Sequence, residues 1–490
     1  MNDHIEKLWE IVDNNEVLDH YDTLKETFSS PLNIPEDEMY ELGDLLTEFI
    51  SSYIDYKRFD DLLEFIPIIK KHNYPAYKEI GYLINEFLVD YYTYLREEEK
   101  LKAPIEAFIE NAVDYIDSLR KCFFKILFYG YSELTLHVIE KIYDEVENHP
   151  DLIGGVSYDL ALVTFRNAQE KAYEHYLANQ KIDWESFKEE VEKVSFEMED
   201  TYVFMIESVF GMDHSAFRDT FLKKVKTESD LEIEKLGIRF MVYMKGQGMS
   251  FSVSGQIWDD LSEYWLDSDM KKSSNIFDLD KKSFRQFAVS NGGLILDYRF
   301  LSTAIVWGSC YAYDFLKEAG LISEPMYEET QVIIKELKKA LIEENPSHLW
   351  EYDFVHEWPK PEQVTEEEFE KEKEIFGEGF DKQITNDESE REGFFLNKED
   401  QKDIDGLFDS DLFGFDDEFG FDDDFDFDDE DSDEYTPAFK TSGAQPYKRE
   451  TPKIGQNERI SVKYLDGTVK ENIKYKFVKD DITNGKCEIM

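Results

Sequence analysis

Apolar side chains recur every three to four residues over most of the first 345 positions, and this spacing constrains the fold more than any other feature. Leu42, Leu45, Leu46, Phe49, Ile50 and Tyr53 follow the i, i+3, i+4, i+7 order of one helical face. Leu134, Val138, Ile142 and Val146 form a second stripe, closed by His149-Pro150. The first stripe follows Pro35, with Glu36, Asp37 and Glu38 where carboxylates favour the positive end of the helix dipole. Polar segments between stripes are short, as at 55–58 and 130–132, so successive helices are expected to be antiparallel neighbours. Pro67 predicts that Phe59–His72 is either a kinked helix or two short pieces.

Two junctions look alike. Tyr56-Lys57-Arg58-Phe59-Asp60-Asp61-Leu62 and Tyr129-Gly130-Tyr131-Ser132-Glu133-Leu134 lie 73 residues apart, about two units of the 34-to-40-residue helix-pair class. Residues 1–345 therefore resemble a degenerate tetratricopeptide-like array, although most of the small residues that let paired helices approach closely are missing. An irregular helical domain is the competing architecture. Residues 250–325 are the least acidic apolar part. There Trp258, Leu261 and Trp265 share a face, and Gly292-Gly293 marks a loop before the long apolar stretch 294–315. These are expected to be the closing, best-packed helices.

The 490 residues allow two to four domains or one long array, and 41% apolar content is enough for a sizeable core. A net charge of −56 disfavours nucleic acid phosphates and anionic membranes and favours cationic partners. Cys122, Cys310 and Cys487 are far apart and form no C-x-x-C pair, so reduced thiols are expected. Residues 1–9 carry no apolar leader and no stretch approaches the roughly 20 apolar residues of a membrane span, so the expected location is cytoplasmic.

Beyond 345 the character changes. Residues 346–437 read as an acidic, largely disordered linker. A helix near 366–375 has little to bury. Within the linker, 405–435 holds sixteen acids and no Lys or Arg. Residues 438–490 carry eleven Lys/Arg against seven Asp/Glu. Ile460, Val462 and Tyr464 alternate, Asp466-Gly467 follows, and Val469, Ile473, Tyr475 and Phe477 are expected on one face of a second strand. A polar turn at 480–484 and a short strand at 487–490 complete a small β module. At this size it is marginal for independent stability.

No catalytic, cofactor or metal site is nominated. Lys245-Gly246-Gln247-Gly248 with Gly255 fails the spacing of a phosphate loop and reads as a helix-to-helix turn. His348 and His356, with Asp353 between them, lack the i, i+3 or i, i+4 spacing of a helical metal pair and read as surface histidines. Ser309 lacks the second glycine of a nucleophile elbow. The acidic stretch is the best functional candidate. Phe413, Phe415, Phe419, Phe421, Phe425 and Phe427, with Asp422, Asp423 and Asp424 among them, combine aromatic anchors with long-range attraction for a basic partner. A solubilising brush is the plain alternative, and a calcium loop lacks its D-x-D-x-D-G pattern. Lys463, Lys470, Lys474 and Lys476 make the β module a second contact point, and the acidic stretch could also fold onto it.

Pro452-Lys453-Ile454-Gly455-Gln456-Asn457-Glu458 resembles the opening of the SEC-C motif, a short zinc-binding tail of the bacterial preprotein translocase ATPase and other bacterial proteins. The cysteine-rich run of that motif is replaced by Arg459-Ile460-Ser461-Val462-Lys463-Tyr464, so zinc binding does not carry over. The resemblance implies an accessory protein whose tail contacts ribosomes or secretion partners. Three functions follow as expectations: a non-enzymatic interaction scaffold with an acidic-aromatic arm, a chaperone-like accessory of secretion or translation, and an enzyme or effector with a site within 240–320. A pocket near Trp258, Trp265, Asp297 and Arg299 would favour the enzyme.

Overall fold

The computed structural model describes residues 3–381, apart from 14–16, 33, 36–37, 150–154, 195–204, 208, 211–213, 226–228, 268–274, 292–298 and 345, together with 459–464, 469–474 and 487–489. The chain is mainly helical, and it divides into two units, 1–431 and 432–490.

The first unit begins with α1 (Asp3–Asp13), α2 (Tyr21–Phe28), α3 (Met39–Asp55), α4 (Phe59–His72), α5 (Tyr74–Glu79) and α6 (Gly81–Tyr94). Helix α4 continues as one element across Pro67. Then follow α7 (Glu98–Ile109), α8 (Ile116–Phe128), α9 (Ser132–Asn148), α10 (Gly155–Asn179), α11 (Trp184–Val191) and α12 (His214–Lys224). The series continues with α13 (Ser229–Gln247), α14 (Phe251–Leu266), α15 (Lys281–Asn291), α16 (Arg299–Glu318), α17 (Glu324–Glu344) and α18 (Glu366–Asp381). Among the described residues no helix is long and apolar enough to cross a membrane.

The apolar faces gather into two cores. The stripe on α3 is fully buried, and with Ile5 and Leu8 of α1, Phe28 of α2, Phe65 of α4 and Phe87 of α6 it makes the smaller core. The larger core runs from Val89 and Leu101 through α8, α13 and α14 to α16. Helix α6 contributes to both, and apolar residues all around it fit that position. Helix α16 is buried along nearly its whole length, from Phe300 to Leu316.

Helices α3, α6 and α8 end alike. Lys57 (φ 58°), Arg96 (φ 60°) and Gly130 (φ 80°) adopt the left-handed conformation. The next amide donates to a carbonyl five residues back, Arg58 to Tyr53 (2.8 Å), Glu97 to Tyr92 (2.9 Å) and Tyr131 to Ile126 (3.0 Å). This cap satisfies carbonyls that a helix end leaves open. Glycine adopts it freely, whereas a lysine or arginine there is strained by about 1–3 kcal/mol.

The folded chain runs past the expected boundary at 345. Residues 349–356 form a 3-10 helix in which Leu349, Trp350, Tyr352, Asp353, Phe354, Val355 and His356 are buried. Helix α18 buries Phe376 completely, so the helix expected to have little to bury is anchored. The linker reading averaged over a long acidic segment and hid a short aromatic one.

In the second unit, β1 (Arg459–Tyr464), β2 (Val469–Lys474) and β3 (Cys487–Ile489) form an antiparallel sheet of order β2-β1-β3. Ile460 pairs with Ile473, but Val462 pairs with Lys470 and Lys463 with Val469. The register shift inserts a residue in β2, so the simple alternation expected to put Val469 and Ile473 on one face is broken.

Candidate functional site: a seam across three helix ends

Residues 349–358 lie across the ends of α3, α6 and α8 in chain order. At the first end, the Trp350 ring lies 5.4 Å from Phe59 and 5.8 Å from Tyr94, with the Lys57 ammonium 5.3 Å over it. At the second, Arg96 donates to Asp353 and to Glu357, both at 2.8 Å. At the third, Phe354 stacks on Phe128 at 5.1 Å and meets Tyr129 edge-on at 5.9 Å. The Trp358 indole N–H donates to the Phe128 carbonyl at 3.0 Å, satisfying one of the helix-end acceptors. Arg96 also sits 4.6 Å over the Tyr129 ring, a cation–π contact.

His356 is completely buried between two carboxylates. Its Nδ1 lies 2.8 Å from Asp353 and its Nε2 3.4 Å from Glu372 of α18. Burial alone would lower its pKa, but the two carboxylates outweigh burial and raise it above the usual histidine value. Burial would raise Glu372, yet His356, Lys338 and the Trp307 N–H at 2.7 Å pull it down to about 2. Glu351 behaves likewise. His348 at 2.7 Å, with Lys125 and Lys57 nearby, outweighs burial and holds it well below the usual carboxylate range. Both histidines read as surface residues are therefore partners of acids, and His356 is inside the fold. Glu351 and Asp353 stand three residues from His348 and His356, but Glu372, Lys57, Lys125 and Lys338 converge from distant parts of the chain, and spacing along the sequence could not reveal that. The legible signal was the density of Leu349, Trp350, Tyr352, Phe354, Val355 and Trp358 in ten residues.

A second group of buried charges lies where α8, α10, α13 and α14 meet. Arg166 bonds both oxygens of Asp259 at 2.8 Å, and Arg120 bonds Asp159 at 2.7 Å. Two guanidiniums here face a larger number of acids. Burial, against Arg166 but with Asp259 adding, raises Glu234 to about 7. Burial raises Asp159 to about 6 despite Arg120, and burial beside Asp259 puts Asp260 well above the ordinary range. Among the described residues no group of three or more His, Cys, Asp or Glu could hold a metal ion.

The other sequence candidates fall in several places. Trp258 and Trp265 pack into the larger core, 5.0 Å apart, while Arg299 is half-buried at the start of α16. Asp297 lies outside the described residues. The 245–248 segment ends α13 and turns through Gly248 (φ 103°) into α14, whose first amide donates to Glu170 at 2.6 Å. Ser309 is buried and donates to the Val306 carbonyl at 2.7 Å. Phe413, Phe415, Phe419, Phe421, Phe425, Phe427 and Asp422, Asp423, Asp424 lie outside the described residues, as does Lys476. Lys463 is exposed on β1, and Lys470 and Lys474 are on β2. The ladder adds one cation that sequence reasoning missed, Arg459, whose Cα partner is Lys474.

No family model and no solved structure matches the chain. It is similar to the protein translocase subunit SecA of Amoebophilus asiaticus, 57% identical over 35 residues, which is 7% of this chain and 3% of that protein. The same subunit of Cytophaga hutchinsonii is 49% identical over 35 residues, again 3% of its length. The chain thus spans a small fraction of the curated relatives it matches.

Proposed function

We propose that this protein is a non-enzymatic interaction scaffold with a flexible acidic-aromatic arm for basic partners. The observation that carries the reading is charge segregation. Sixteen acids and a series of phenylalanines stand without one Lys or Arg over 405–435. Such a segment attracts a basic surface over a distance set by salt, and its rings add apolar anchors on contact. The helical part is then a degenerate repeat array, a reading supported by the like turns at 57, 96 and 130. Their spacings, 39 residues (57 to 96) and 34 (96 to 130), suit a helix-pair unit. The strands at the C-terminus form a small basic module with Lys463, Lys470, Lys474 and Lys476 as its contacts.

A second reading, an accessory of secretion or translation, is favoured by the similarity to SecA. The similarity is to a short piece of a protein translocase subunit, so this chain would share a contact module and not a motor.

Affinity capture from native lysate tests both readings, with full-length protein, protein lacking 405–435 and protein ending at 437. Basic proteins captured by the full chain, lost on deleting 405–435 and released at ~0.5 M salt support the arm. Capture unaffected by that deletion overturns it. Ribosomal or translocation components lost only on removing 438–490 support the second reading.

A further inference from the structure

The seam has the composition of a bound peptide. Trp350, Tyr352 and Phe354 alternate with Glu351 and Asp353, and this run meets cations at Lys57, Lys125 and Arg96 and aromatic walls at Phe59, Phe128 and Tyr129. Lys57 is 6% exposed and Lys125 1%, uncommon burial for lysine, and both stand beside Glu351. Asp55 and Asp90 also face this region. Asp90 is paired with Lys125, and burial raises the Asp55 carboxyl. The same chain contains a second run with this alternation, Phe425-Asp426-Phe427-Asp428, inside 419–429.

We propose that the track across the ends of α3, α6 and α8 is a recognition groove for acidic-aromatic peptides, filled by residues 349–358, for which the Asp/Phe stretch 419–429 competes. The resident segment has two advantages. It leads directly into α18, and His356 ties it to Glu372. The competitor has no histidine, but it belongs to the same chain, which raises its effective concentration above that of a separate peptide. Exchange would uncover the cationic helix ends and withdraw the arm. The groove's chemistry is independent of whether the arm also meets a basic partner.

The test is hydrogen–deuterium exchange of the 349–358 amides in the full-length protein. Adding a synthetic 419–429 peptide at millimolar concentration is expected to speed their exchange, and the same peptide with Phe→Ser at all four phenylalanines is expected to leave it unchanged. Deleting 405–435 is expected to slow it. No response of these amides to the native peptide, or an equal response to both peptides, overturns the proposal. In a second measurement, a fluorescent 419–429 peptide should bind Trp350→Ala at least about tenfold tighter than wild type, because the competent fraction rises. Equal affinity in a variant of unchanged helicity overturns the proposal. If that variant unfolds, the exchange result on wild-type protein decides.

Discussion

The seam at 349–358 and the charge cluster between α10 and α14 both remove carboxylates from water, and Glu351 and Glu372 at the seam respond in the opposite way to the cluster acids. At the seam, Glu351 and Glu372 are pushed down because His348, His356, Lys125, Lys57 and Lys338 stand near them. In the cluster, Glu234, Asp159 and Asp260 are pushed up because Arg120 and Arg166 serve too many acids. Burial acts in the same direction at both places, so the local supply of cations decides which acids stay ionised. The chain carries 110 acidic against 54 basic residues, so not every acid can have a cation beside it.

Removing one seam carboxylate should have the largest effect. Asp353→Ala leaves His356 and Arg96 without their shared partner, and it should cost about 3–5 kcal/mol in urea unfolding. A loss below ~1 kcal/mol would mean that the seam ions contribute little. In the cluster the sensitive position is Gly255. A Cβ there would fall 2.8 Å from Arg166 Nε, so Gly255→Ala should displace the guanidinium from Asp259 and cost about 1–3 kcal/mol. Asp260→Asn, by contrast, should be neutral or stabilising by up to ~1 kcal/mol at pH 7, since burial beside Asp259 disfavours a charge at this position.

The comparison is sharpest in pH dependence. Glu234 is raised from 4.5 to about 7, so the unfolded chain releases its proton first, and stability falls as pH rises from 4.5 to 7. Glu234→Gln should flatten that slope, by an amount on the order of 1–2 kcal/mol across the window. Glu372 is lowered to about 2, so its contribution is complete above 4.5 and is lost as pH falls from 4.5 towards 2. His356 is raised, so its contribution is complete below 6.5 and is lost as pH climbs through its folded value. His356→Gln should remove that alkaline limb and weaken the acid limb of Glu372, which His356 helps to hold down. A slope between pH 4.5 and 7 that is unchanged in Glu234→Gln would contradict the assignment. The smallest effect is expected at the exposed Lys339–Glu343 pair, where Lys339→Ala should leave the urea midpoint unchanged.

The mainly helical character could be read from the sequence, and the reason is local. Leu42, Leu45, Leu46, Phe49, Ile50 and Tyr53 announce a buried face within one helix, and all six are buried on α3. The C-terminal end of the folded part could not be read that way. Residues 346–381 are acidic on average, and neither Trp350 nor His356 has a partner close in sequence that explains its burial, apart from Asp353. Similarly, Lys57 and Arg96 look like ordinary turn residues. Nothing along the chain marks them as left-handed caps whose side chains meet a segment more than 250 positions later.

By itself, then, the sequence determined the helices, the absence of a readable catalytic motif and the separation of acidic from basic segments, because periodicity and composition act over a few residues. Only the tertiary structure decided which charges are buried and in which direction they titrate. It also decided that residues 349–358 close across three helix ends. Those outcomes depend on the summed field and desolvation of groups brought together from distant helices, and neither quantity exists until the chain has folded.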